Sequence, residues 1–384
     1  MLTWAAALAA PKIAEVPPLA GNGVILAGEF SRASGLGESA RLILAALDTL
    51  GVPVWPLDIG PLLPAHANEV PPPPPAVTDP PAGAALLMHV NAPLLPLVMT
   101  RMPRAVTRGR RVVGYWAWEL PVASPDWRAG ARFVHDIWVP SRFTADALMA
   151  LAPGRVRVVP LPLAAVPPQP SGLGRGDFDL PDTAVVVLTS FNLASSFERK
   201  NPLGAIAAFR TAFGGRMDRI LVLKVANRDH APADFARLEA AVVGAPNIRL
   251  ETRTLPRGDA LALTAAADIV LSLHRSEGFG LVPAEAMLLG RPVIATGWSG
   301  NMDFMDDRSA ALVRYRLVPA RDARGVYEVA DALWAEPDVH HAAGWLRRLA
   351  DDAAARTALG QSGRTMAEAR LGTGPLRRAV LSLA

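Results

Sequence analysis

The sequence predicts an α/β protein built in two domains on parallel sheets. Two observations carry this. The stretch Asp268 to Thr296, DIVLSLHRSEGFGLVPAEAMLLGRPVIAT, reads as strand, loop, short helix and strand, and such a unit implies a parallel crossover. The chain is 384 residues long, enough for two domains with a core each, and a Pro/Gly-rich stretch interrupts it near the middle.

Within the 268–296 unit, Asp268 to Leu273 is an apolar run short enough for a buried strand. Gly278-Phe279-Gly280 forms a loop in which backbone comes close to a ligand. Pro283 suits a first helical position and Gly290 the residue after the end. Parallel sheets bind ligands outside the carboxyl ends of their strands, which is where Glu277 falls. A carboxylate there can accept from sugar hydroxyls, and a helix N-terminus suits a diphosphate. An isolated Glu285 is better read as a solvated helix residue.

The earlier chain repeats the alternation. Gly23 to Phe30 reads as a strand, followed by Gly35-Leu36-Gly37 and a helix from about Glu38 to Leu50 with a buried face at Ala40, Ile43, Leu44 and Leu47. Val52 to Leu57 and Ala84 to Val90 are further strands. Between them, Asn68 to Gly83 holds seven prolines from position 71 to 81 and is expected to be irregular. Pro93 to Arg111 mixes leucines with arginines. A basic amphipathic segment can lie on an anionic membrane, but Pro103 breaks it, which favours a core helix and a solvated loop. Val112 to Trp118 leads into Glu119; Trp118 and Glu119 could form an acceptor site, or the tryptophans could be core. Asp136 to Pro140 is a strand, with Ser141 an N-cap for Arg142 to Leu151. Pro160 to Pro170 has five prolines in eleven residues, then Gly172, Gly174 and Gly176, a hinge by composition. Ala184 to Phe191 opens the second domain as a buried strand, and Arg199 and Lys200 fall between its end and a helix from Pro202. Val326 to Leu333 and Gly344 to Leu359 read as alanine-rich helices, with a last helix at about Pro375 to Leu383.

Composition sets limits. No cysteine is present, excluding disulfides, thiolate metal sites and a cysteine nucleophile, and this accords with a reducing cytoplasm. The net charge is +4, mostly from arginine, so phosphates or an anionic membrane face are plausible partners. No nucleic-acid motif is found. No apolar run approaches about 20 residues, and Leu2 to Ala10 lacks the basic flank of a secretory signal. The expected location is cytoplasmic, with peripheral contact at the inner membrane face left open.

EGFGLVPAEAMLLGRPVIAT resembles the E-x7-E signature of retaining glycosyltransferases of the GT-B fold, specifically glycosyltransferase family 4. The resemblance covers most of the chain: strongly from about 184 to 306, moderately from 112 to 162, weakly elsewhere. It implies two Rossmann-like domains facing across a cleft: an N-terminal acceptor-side domain at 1–165, a hinge at 166–180, a nucleotide-sugar domain at 181–365 and a returning C-terminal segment at 366–384. It implies that Glu277 lies against the donor sugar, that Glu285 binds the ribose, and that Gly278, Phe279, Gly280 and Leu281 belong to the donor site. Gly35 and Gly37 would face the donor phosphates. Arg199 and Lys200 would grip the diphosphate, so no metal or other cofactor is expected. The implied reaction moves a sugar, with retention, from a UDP- or GDP-linked donor to a carbohydrate or lipid-linked acceptor, in polysaccharide or glycoconjugate synthesis. The chain departs from the pattern twice: Arg199 and Lys200 are adjacent, and Trp-Ala-Trp-Glu at 116–119 stands where the family usually has a His-Asp pair. Two other classes stay open, an epimerase or phosphorylase on the same fold, and a non-catalytic nucleotide-sugar-binding module. A dehydrogenase is disfavoured, because G-x-G-x-x-G is missing from the first βα turn.

Overall fold

The computed structural model describes residues 2–64 and 69–384 of the chain. It divides into two compact units, Met1–Val166 with Leu371–Ala384, and Pro167–Arg370. Each is a doubly wound α/β unit.

In the first unit, β1 (Val24–Gly28), β2 (Val54–Asp58), β3 (Ala85–His89), β4 (Val112–Tyr115), β5 (Asp136–Val139) and β6 (Val156–Val158) form one sheet in the order β2-β1-β3-β4-β5-β6. Every pairing is parallel. β1 and β3 are buried throughout, which explains their unbroken apolar sequences. The helix Gly35–Thr49 starts three residues earlier than its apolar spacing suggests, because the Ser34 hydroxyl accepts from the Gly37 N–H at 2.9 Å. The proline run has no helix or strand from 70 to 83 beyond a single bridge between Arg32 and Glu69; Asn68 lies outside the described residues. Leu95–Arg101 is a short helix with Leu95, Val98 and Met99 buried, and it ends ahead of Pro103, so this stretch is core helix followed by an exposed basic turn. The helix Gly374–Leu381 belongs to the first unit, where Ala20 N–H donates to Leu383 O at 2.8 Å.

In the second unit, β7 (Val185–Asn192), β8 (Arg219–Ala226), β9 (Ile248–Glu251), β10 (Ile269–Ser272), β11 (Val293–Thr296) and β12 (Ala311–Val313) form a parallel sheet in the order β12-β11-β10-β7-β8-β9. Strand period 2 sends alternate residues to opposite faces. Val187, Leu221 and Leu223 pack with Phe209 and Leu346, while Val186, Leu188, Ile220 and Val222 pack with Ala262 and Leu263. Residues 167–180 of the expected hinge belong to this unit, where Arg175 pairs with Asp268 at 2.6 Å.

Two helix expectations are corrected. Val326 to Leu333 is no helix: it lies in the turn between β13 (Tyr315–Pro319) and β14 (Leu333–Pro337), an antiparallel hairpin. Asp331 takes φ +59°, which ends any right-handed run, and Trp334 pairs across to Val318. Gly344 to Leu359 is also not one helix. Val339–Asp351 and Ala353–Arg370 are separate, because Asp352 is extended and its carboxylate accepts from Ala355 N–H at 2.8 Å. Among the described residues no helix is long and apolar enough to cross a membrane.

Candidate active site

In the second unit the chain winds outward in one direction from β7 through β8 to β9, and in the other from β10 through β11 to β12. The reversal between β7 and β10 is a topological switch point, where loops diverge and open a crevice at the carboxyl ends. The loop after β7 carries Arg199 and Lys200; the loop after β10 carries Glu277.

Sequence sets the β7 loop. Ser196 caps the short helix Phe197–Lys200, its hydroxyl accepting from Arg199 N–H at 3.1 Å. Asn201 then takes φ +51°, ending that helix, and its side chain caps the next, Pro202–Phe213, by accepting from Gly204 N–H at 3.2 Å. Asn201 Nδ2 also donates to Leu273 O at 3.0 Å, tying this corner to the end of β10. Lys200 is thereby held at a fixed corner facing the β10 loop.

Lys200 Nζ meets Glu277 Oε1 at 2.5 Å, and Arg199 Nη1 meets Glu277 Oε2 at 3.1 Å. Burial alone would push the Glu277 carboxyl up, but the Lys200 and Arg199 charges outweigh it and hold it down at about 2. Glu277 is therefore a carboxylate at every physiological pH.

The Glu277 backbone is clamped from the turn after β11. Ser299 Oγ accepts from Glu277 N–H at 2.9 Å, and Gly300 N–H donates to Glu277 O at 2.8 Å. Ser299 sits at φ +82°, a conformation rare for a residue with a side chain. Gly300 is required by contact: a Cβ there would lie 2.3 Å from Gly278 O. Asn301 joins the clamp, its Oδ1 facing His274 Nε2 at 3.0 Å and its Nδ2 donating to Thr296 O at 3.1 Å. His274 is buried, and that burial lowers its pKa, so it is a neutral strut of the loop.

Gly280, at φ +99°, turns the loop into the helix Leu281–Leu288, and its lack of a Cβ spares a 3.2 Å approach to Asn301. Pro283 is the third helical residue, not the first, still within the turn where its missing N–H costs nothing. Phe279 is buried against Phe304, with ring centres 5.1 Å apart. Glu285 is buried as well, not a solvated helix residue, and Arg257 Nη2 pairs with its Oε1 at 2.9 Å.

The remaining expected residues lie in the first unit. Gly35 opens the helix after β1 with free space around its Cα. Gly37 must be glycine because a Cβ would lie 2.4 Å from Arg32 O, a contact inside the turn itself. Trp118 is buried, its ring 5.0 Å from that of Trp127 and its Nε1 donating to Val122 O at 2.8 Å, while Glu119 is half-buried. The tryptophans are core.

Sequence inspection found Lys200, Arg199, Glu277 and Glu285 but passed over Arg257, Ser196, His274 and the depth of the 298–301 clamp. A serine three residues ahead of Arg199 was a legible capping signal. Nothing local linked Arg257 to Glu285.

Residues 205–336 match the family model described as "Glycosyl transferases group 1". A curated relative, D-inositol 3-phosphate glycosyltransferase of Acidothermus cellulolyticus, is 28% identical over 229 residues, 58% of this chain and 49% of its own length. The chain thus spans about half the length of that relative. A glycosyltransferase structure from Rickettsia africae superposes with a TM-score of 0.64 at 11% identity, covering 94% of this chain and 98% of that one. HepE of Anabaena, solved with UDP and glucose, gives 0.61 at 13% identity with the same coverage, 94% and 98%. The fold is GT-B.

Proposed function

We propose that this protein is a metal-independent retaining glycosyltransferase of the family 4 type. It moves a sugar from a UDP- or GDP-linked donor to a hydroxyl of a carbohydrate or lipid-linked acceptor, in polysaccharide or glycoconjugate synthesis. The observation that carries the reading is the buried Lys200–Glu277 pair at the switch point of the second sheet, held from both sides by loops with no other evident purpose.

In this proposal the donor's diphosphate meets Lys200 and the N-terminus of the helix Leu281–Leu288, whose first amides point out of the Gly280 turn. Glu285 takes ribose hydroxyls. Glu277 lies beside the sugar ring, and its charge favours the positive charge that grows at the anomeric carbon. The bond between that carbon and the phosphate oxygen breaks as the acceptor oxygen bonds to the same face. The acceptor's proton passes to the leaving phosphate. Lys200 offsets the charge left on the diphosphate, so the step is written without a metal. The first unit supplies the acceptor side, where Glu119 has exposed atoms and Trp118 does not. The match of residues 205–336 to a glycosyltransferase model supports the donor half of this reading. HepE's complex with UDP makes UDP-sugars the first donors to try.

The test is a panel of UDP- and GDP-sugars with and without simple acceptors, read by donor consumption and by the anomeric configuration of the product. Transfer with retention, unchanged by EDTA, is expected. Inversion, or loss with EDTA that Mg²⁺ or Mn²⁺ restores, overturns the mechanism. Binding of donor with no turnover toward any acceptor or water leaves a binding module.

A further inference from the structure

Between β12 and the helix Val339–Asp351 the second unit carries the hairpin β13–β14, and its long turn folds back on the Arg199–Lys200 corner. The turn brings a buried carboxylate, Asp322, and a buried aromatic, Tyr327. Asp322 Oδ1 accepts from Ser196 Oγ at 2.9 Å, and its Oδ2 accepts from Val326 N–H at 3.1 Å. A serine hydroxyl has one proton. Giving it to Asp322 turns the Ser196 lone pairs toward Arg199 N–H, the capping bond of the short helix. The Tyr327 ring lies under the Arg199 guanidinium, 5.4 Å from Cζ to the ring centre, within range of a cation–π contact. At the hairpin's stem, Ala335 N–H donates to Arg275 O at 2.9 Å and Glu336 pairs with Arg275 Nε at 2.6 Å. Arg275 Nη1 in turn donates to Glu198 O at 2.6 Å. The hairpin therefore holds the short helix at tip and stem.

What it holds is Arg199, and Arg199 faces inward. Its side chain is only 3% exposed. Nη1 donates to Ser276 O and Nη2 to Ser195 Oγ, each at 2.7 Å, besides the pairing with Glu277. A planar fork whose edges are spent on protein oxygens and whose face is covered by a ring has little surface for a phosphate. The side chain of Lys200, 21% exposed, keeps that surface.

We propose that Arg199 is a positioning residue for Glu277 and not a phosphate contact, and that Tyr327 and Asp322 on the hairpin are the positioning residues that lock Arg199 in place. This rests on the donor-site reading above. It gives the hairpin a task in the reaction without any contact to donor or acceptor.

The experiment compares the full-length protein with Tyr327→Phe, Tyr327→Leu and Asp322→Asn, using Lys200→Ala as the control for phosphate contact. The Leu and Asn variants should lose about ten- to a hundredfold in kcat, the scale of a misplaced reacting group, with UDP affinity by calorimetry within about threefold of wild type. Tyr327→Phe keeps the ring and should keep kcat. The Glu277 carboxyl, followed by carbon NMR in Glu-labelled protein, should titrate about one pH unit higher in the Leu variant, the effect of weakening one adjacent cation. A folded Tyr327→Leu protein with wild-type kcat and Glu277 titration overturns the proposal. So does UDP affinity falling in step with kcat, which would put Arg199 on the phosphate. If the Leu variant does not fold, Asp322→Asn carries the same readouts. If wild type binds neither UDP nor GDP, the donor-site reading fails, and the Glu277 titration still decides what the hairpin does.

Discussion

Glu277→Gln keeps size and shape and removes one charge from the buried trio with Lys200 and Arg199. The magnitude follows from the carboxyl's displacement. Its ordinary value is 4.5 and in the folded protein it is held at about 2. That difference is worth about 3 kcal/mol, at roughly 1.4 kcal/mol for each pH unit. Breaking a buried ion pair by deleting one partner gives the same scale, about 3–5 kcal/mol, since two cations are left facing each other. The folded value is the depressed one, so the stabilisation is complete above about pH 4.5 and is lost as the pH falls toward 2. Urea unfolding at pH 7 should show Glu277→Gln less stable than wild type by about 3 kcal/mol, and the gap should shrink to under half by about pH 3. A Gln variant with the wild-type urea midpoint at pH 7 would mean that the three side chains do not form the pair, and the account of the site would fall with it. In the Gln variant kcat should drop while UDP binding persists.

Lys200→Ala should weaken donor binding and lower kcat by roughly a hundredfold, the usual worth of a group meeting charge that grows in the transition state; steady-state kinetics on a folded variant showing no change would move the donor site elsewhere. Glu285→Gln should mainly raise the donor KM, because hydroxyl contacts far from the anomeric carbon contribute equally to bound substrate and transition state. A fall in kcat at unchanged KM would contradict that. Gly300→Ala should cost about 1–3 kcal/mol of stability as an overpacked contact and lower kcat, since the added carbon would lie 2.3 Å from Gly278 O and displace the Glu277 backbone. Normal thermal stability together with normal kcat would show that the clamp is slack.

Much of this protein is determined by local sequence. The β-branched runs at Val185 and Ile269 can only be buried strands, Asn201-Pro202 ends one helix and starts another, and Gly280 and Gly290 bound the helix that carries Glu285. Those signals act within a few residues, so strands, caps and the E-x7-E loop are legible one segment at a time. Tertiary structure decided what joins them. Lys200 and Glu277 are 77 residues apart, and only the order β12-β11-β10-β7-β8-β9, with its reversal between β7 and β10, brings their charges to 2.5 Å. Arg257 against Glu285, and Ser299 and Gly300 against the Glu277 backbone, likewise follow from packing across loops whose own sequences do not name their partners. The hairpin β13–β14 shows the limit most plainly. Its alanines and its tyrosine fit a helix as far as local spacing goes. Cross-strand pairing of Trp334 with Val318, and the seating of Tyr327 on Arg199, outweigh that propensity, because burial and charge contacts across the fold are worth more than a few tenths of a kcal/mol per residue of helix preference.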